Sequence, residues 1–83
     1  MTTPVLLTLY SRTYCHLCDD MLAGLRELRA GDRFELLIVD VDSDPLLEAK
    51  FGELVPALVC GTVELCHYHL DVAKVNDYLR EIG

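Results

Sequence analysis

The sequence predicts an α/β fold: one four-stranded mixed sheet flanked by helices, in the element order β-α-β-α-β-β-α. Three observations carry that expectation. Short apolar runs occur at Val5–Tyr10, Phe34–Val41, Ala57–Cys60 and Val63–Cys66. Between and after them, apolar residues repeat at the three- and four-residue spacings of a helix face. The last two runs are separated only by Gly61-Thr62, a hairpin spacing, whereas a helix-length segment separates the first two.

Each element has its own signal. Val5–Tyr10 reads as a strand covered on both faces, because its apolar run is nearly continuous rather than alternating. Leu17, Met21, Leu22, Leu25 and Leu28 make the buried stripe of the first helix, with Gly31 as its stop. Phe34–Val41 is the second strand, parallel to the first by the crossover rule. Ser43 or Asp44 caps a short helix that has Pro45 at its first position and runs through Leu46, Leu47, Ala49 and Phe51 to Gly52. The Gly61-Thr62 turn should pair Cys60 with Val63 and Ala57 with Cys66, placing the two cysteines on opposite faces. Asp71 caps a last helix whose stripe is Val72, Val75, Tyr78, Leu79 and Ile82.

Composition bounds the function. Residues 1–83 are read as a single domain; an apolar fraction of 52% with 25% charged residues fits a globular chain rather than a disordered or membrane-spanning one. Fourteen acids against seven bases give a net charge of −7, which argues against nucleic acid and anionic membranes as partners. Met1-Thr2-Thr3-Pro4 has no basic start of a secretory signal, so the expected location is cytoplasmic. In a reducing compartment a Cys-x-x-Cys pair points to catalysis or metal binding rather than to a structural staple.

Cys15-His16-Leu17-Cys18 is that pair, and it sits between the first strand and the first helix. A sulfur at a helix start gains from the unpaired N–H groups there, which favours the thiolate of Cys15 and makes it the expected nucleophile. Cys18, one turn further in, is the expected resolving thiol. His16 should assist ionisation of Cys15, while Asp19 and Asp20 partly oppose it. Cys60 reads as a small buried hydrophobe. Tyr10, Tyr14 and Tyr68 are candidates for the wall of a shallow groove. A second reading stays open at this point: Cys15, Cys18, Cys66, His67 and His69 supply soft and imidazole donors for zinc, and an iron–sulfur cluster bridging two protomers is a further metal option.

The run Tyr10-Ser11-Arg12-Thr13-Tyr14-Cys15-His16-Leu17-Cys18, the strand end Val39-Asp40-Val41-Asp42 and the dipeptide Val55-Pro56 together resemble glutaredoxins of the thioredoxin-fold superfamily. The likeness is greater to a small glutaredoxin-like group than to the dithiol glutaredoxins proper. It covers essentially the whole chain and implies a thioredoxin-like fold with thiol–disulfide oxidoreductase activity. It also implies that Pro56 is cis, that the Val55 backbone meets the substrate, and that Arg12 stands where a lysine pairs with the glycine carboxylate of glutathione. Two positions depart from the glutaredoxin pattern: Leu54 replaces a threonine, and His67–Leu70 replace a glycine pair before the last helix. The expected site is therefore Cys15 and Cys18 as catalytic residues, with Arg12, Tyr14, His16, Val55, Pro56 and Asp71 contacting substrate and no metal. No cofactor is expected to be bound. The expected partner of this monomer is a protein disulfide or glutathione mixed disulfide, with glutathione or a thioredoxin-reductase-type donor as reductant. The alternative is a metal-binding or interaction module that keeps the fold without turnover.

Overall fold

The computed structural model describes residues 5–28 and 34–82, the last in its backbone only. Strand β1 (Val5–Ser11) leads into helix α1 (His16–Leu28) and strand β2 (Phe34–Asp40). A 3-10 turn (Val41–Ser43), helix α2 (Pro45–Phe51), the hairpin of β3 (Ala57–Cys60) and β4 (Val63–His67), and helix α3 (Val72–Ile82) follow. The sheet order is β2-β1-β3-β4, so β1 is an inner strand. β1 and β2 are parallel, from Val5 opposite Phe34 to Ser11 opposite Asp40, as the helical connection between them requires. β3 runs antiparallel to both β1 and β4. The mixed sheet and the element order are those the sequence predicts.

The helix starts follow the predicted chemistry. The Asp44 carboxylate accepts the Leu46 N–H at 2.9 Å ahead of Pro45, and the Asp71 carboxylate accepts the Lys74 N–H at 3.0 Å. Gly61 turns the hairpin with a φ of 61°, a conformation costly for any residue with a Cβ. Gly24 has a different reason: a Cβ there would lie 2.7 Å from Leu70 Cδ2, so its bare backbone lets Leu70 seat against α1.

Two apolar clusters hold the layers. Leu7, Leu9, Phe34, Leu58 and Leu65 of the sheet bury against Met21 and Leu25 of α1 and Val75 and Leu79 of α3. On the other face Val41, Phe51, Ala57 and Val59 form a smaller cluster, where the Tyr10 ring stacks on Phe51 with centroids 4.1 Å apart.

Four expectations are corrected. β1 is not covered on both faces along its length: Leu7 and Leu9 are sealed, but Leu6 is 52% exposed. The cause is the length of α2, whose seven residues span about 10 Å and roof only the Tyr10 end of the sheet. In α1 the buried stripe is Cys18, Met21 and Leu25, which rotates Leu17 to 37% exposure. In α3 Val75 and Leu79 are buried while Val72, in the first turn, is 44% exposed; Gly31 and the Ile82 side chain lie outside the described residues. In the hairpin, a bulge at Leu58/Val59 pairs Leu58 with Cys66, Ala57 with His67 and Val59 with Glu64. The extra residue, Leu65, flips the parity of β4 beyond it, so Cys60 and Cys66 both pack against the larger cluster instead of facing apart.

The first of these corrections is measurable. Leu9→Ala should cost about 2–5 kcal/mol in urea unfolding, as for any sealed core leucine. Leu6→Ala, on the same strand but half in water, should cost less than about 1 kcal/mol. Equal losses would contradict the one-sided cover of β1.

Candidate redox site

At the end of β1 the chain turns through Tyr14, which adopts a φ of 61° and is fully exposed, and enters α1 directly after Cys15. The Cys15 carbonyl accepts the Asp19 N–H at 3.1 Å, the first bond of the helix. Its sulfur accepts the Cys18 N–H at 3.2 Å, the contact a serine or threonine hydroxyl makes at a helix N-cap. Cys15 thus caps α1 with the atom that carries charge once its thiol ionises. The two sulfurs are placed as a disulfide, with Cα atoms 5.2 Å apart. Cys18 is 4% exposed, whereas Cys15 is only half-buried. The pair is asymmetric in the sense nucleophilic exchange needs, with the outer sulfur reachable and the inner one shielded.

The segment before β3 reaches the same end of the sheet as the motif. The Val55–Pro56 peptide bond is cis, as the family resemblance implies. Pro56 is buried, one position beyond the Tyr10–Ala57 pair, and so meets the end of β1 from which the motif loop departs. Val55 is half-buried beside the smaller cluster. Tyr68 braces this segment twice. Its backbone N–H donates to the Pro56 carbonyl at 2.8 Å and its hydroxyl donates to the Glu53 carbonyl at 2.7 Å. A φ of 64° at Tyr68 turns the chain so that both donors reach the segment, and the His67 ring meets its ring edge-on at 4.7 Å. Sequence reasoning assigned Tyr68 only a groove wall. A tyrosine after a strand has no signature for such a brace, because the hairpin bulge and a positive φ together set its position.

The remaining predicted residues take clear places. His16 is exposed at the first position of α1, next to Cys15. Arg12, expected to meet a substrate carboxylate, already bonds two carboxylates of its own chain: Nε to Asp42 at 3.2 Å and Nη2 to Glu48 at 3.3 Å. Asp42 entered the sequence reading only as part of the strand end Val39-Asp40-Val41-Asp42 and Glu48 not at all, and neither was given a role beside Arg12. Asp71 caps α3 with its side chain, and its backbone bonds the Cys66 sulfur.

Cys66 itself is a poor nucleophile. Burial raises its pKa above the usual thiol range, and the backbone bond from Asp71 opposes this only partly. Cys60 bonds the Tyr78 hydroxyl, which raises the phenol's pKa. Among the described residues no three His, Cys, Asp or Glu side chains come together as a set that could hold a metal ion. Cys66, His67 and His69 therefore do not complete a metal site with Cys15 and Cys18. A concavity of about 460 Å³ is lined by Glu48, Ala49, Lys50, Glu53 and Leu54, none of them in the motif. No helix among the described residues is long and apolar enough to cross a membrane.

These environments predict an order of reactivity. In the reduced protein at neutral pH, iodoacetamide should label Cys15 first and Cys66 slowly. Because the raised pKa keeps Cys66 protonated, its labelling should accelerate only as pH climbs beyond the usual thiol range. Peptide mass spectrometry over time reads both rates, and equal labelling at pH 7 would contradict the assignment.

Known proteins resemble this chain in sequence and fold. A family model described as a glutaredoxin-like domain (DUF836) matches residues 6–80. The solution structure of protein Ne2328 from Nitrosomonas europaea is 36% identical over 94% of each chain, with a TM-score of 0.83. The crystal structure of XcR50 from X. campestris is also 36% identical, over 90% of this chain and 96% of that one, with a TM-score of 0.72. A glutaredoxin from Brucella melitensis, 22% identical over 99% of this chain and 85% of its own, superposes with a TM-score of 0.56 and shares the fold. No curated protein matches the chain.

Proposed function

The chain belongs to the glutaredoxin-like domain family, and we propose that it is a thiol–disulfide oxidoreductase whose Cys15–Cys18 pair cycles between dithiol and disulfide. The observation that carries this reading is the asymmetric sulfur pair at the start of α1, the outer sulfur bonded by the Cys18 N–H and the inner one buried.

The substrate-reducing half of the cycle balances with these two residues, and a thiol donor completes it. The Cys15 thiolate attacks one sulfur of a substrate disulfide, forming a mixed disulfide and releasing the other sulfur as a thiolate that takes a proton. The Cys18 thiolate then attacks the Cys15 sulfur, expelling the second substrate thiol and leaving Cys15–Cys18 oxidised. Two electrons have passed to the substrate, and a thiol donor returns them by the reverse exchanges. Glutathione is the first donor by family, and a thioredoxin-reductase-type enzyme is the second. The exposed Tyr14 and Leu17, next in the chain to Cys15 and Cys18, offer an apolar surface to a peptide, while Val55 offers backbone groups and the buried Pro56 fixes that segment. His16 and Asp71 complete the substrate-contacting set, and the reading places the protein as a monomer in the cytoplasm, where thiols are kept reduced.

NADPH oxidation coupled through glutathione reductase or thioredoxin reductase tests this. With a glutathionylated peptide, Cys15→Ser should fall to the uncatalysed rate. Cys18→Ser should keep turnover on that monothiol-releasing substrate but stall on a protein disulfide as a covalent adduct visible by intact mass. Absence of turnover with both donors, from protein shown to carry four free thiols, would sink the oxidoreductase reading.

A further inference from the structure

Arg12 lies in the loop that carries Cys15, and two carboxylates hold its guanidinium. Both acids are presented by ordered elements. Asp42 sits in the 3-10 turn, where its N–H donates to the Asp40 carboxylate at 2.9 Å and the Ser43 hydroxyl donates to the Asp40 carbonyl at 2.6 Å. Glu48 sits in α2, its N–H bonded to the Asp44 carbonyl at 3.0 Å in a helix whose start Asp44 caps. Parallel pairing of Ser11 with Asp40 brings the 3-10 turn to the same end of the sheet as Cys15. One cation facing two anions leaves a net negative cluster.

We infer that Asp42 and Glu48 set the charge selectivity of Cys15 toward its substrates: by occupying Arg12 they favour cationic over anionic peptide disulfides. This inference takes its meaning from the oxidoreductase reading and adds the substrate class. Exposure argues that the arrangement is for selectivity and not for folding. The Arg12 side chain is 34% exposed and its partners 50% and 54%, a setting in which ion pairs add little to stability. The same half-exposed charges act on whatever approaches the neighbouring sulfur, where local field governs association rates. Removing both carboxylate charges would leave Arg12 free to meet an anion.

The test compares alkylation of Cys15 in the reduced protein by anionic iodoacetate and neutral iodoacetamide, read at the Cys15 peptide by mass spectrometry. In Asp42→Asn/Glu48→Gln the iodoacetate-to-iodoacetamide rate ratio should rise about three- to tenfold. The rise should shrink in high salt and shrink again when Arg12→Gln is added. The neutral reagent is the internal reference, since a site that merely loosens speeds both, and each single substitution should give part of the rise if the double variant does not fold. In the same proteins, turnover of dithiodipropionate relative to cystamine should shift the same way. An unchanged ratio would overturn the inference, as would a rise undiminished by Arg12→Gln, which would assign it to net charge alone. Turnover of the neutral hydroxyethyl disulfide by wild type reports separately on the oxidoreductase reading. Its absence beside the expected alkylation shift would end that reading and still support the charge assignment.

Discussion

The hydrogen bonds that open α1 are the constraint on which the site rests. The Asp19 N–H reaches the Cys15 carbonyl and the Cys18 N–H reaches the Cys15 sulfur, so one residue both starts the helix and presents the reactive atom. That start cannot drift, because α1 is anchored through Met21 and Leu25 to Leu7 and Leu9 of an inner strand. Cys18 belongs to the same buried stripe. Packing therefore fixes which sulfur is shielded, and helix geometry fixes the distance between the two. An isolated Cys-x-x-Cys peptide has the spacing but neither constraint.

The rest of the site is assembled around this start by the short second layer. α2 is too short to roof the sheet, yet it covers Tyr10 with Phe51 and places Glu48 on Arg12. The chain leaving α2 passes through the Val55–Pro56 bond, and Tyr68 ties that segment at Glu53 and at Pro56. The Val55–Pro56 segment and Cys15 thus sit on elements packed to different clusters but joined at the Tyr10–Ala57 pair. Acidity enters through the same elements, since the 3-10 turn and α2 both carry carboxylates at this end of the sheet.

Much of this was legible in the sequence, for local reasons. The capping aspartates Asp44 and Asp71, Pro45 and the Gly61-Thr62 turn are signals read within a few residues, and each produced the element expected of it. The Cys15–Cys18 pair was legible because strand, thiols and helix follow one another directly. What escaped depends on contacts between distant segments. The extra residue at Leu65 that turns Cys66 toward Cys60's face leaves no mark in the short β4 sequence Val63–His67. The exposure of Leu6 depends on where α2 stops, and the engagement of Arg12 by Asp42 and Glu48 joins residues 30 and 36 positions away. Leu17 was misplaced because Leu17 and Cys18 both fit a helical period, and only packing against the sheet decides between them.

A redox reading of this family member requires that Cys15 and Cys18, and not the hairpin cysteines, carry the electrons. Equilibration in redox buffers that run from reduced dithiothreitol to oxidised glutathione, followed by acid trapping and peptide mass spectrometry, measures this directly. The account predicts one two-electron transition confined to the Cys15–Cys18 peptide, with Cys60 and Cys66 remaining thiols throughout. A transition that involves Cys60 or Cys66, or a Cys15–Cys18 pair that stays reduced in the most oxidising buffer, would contradict it.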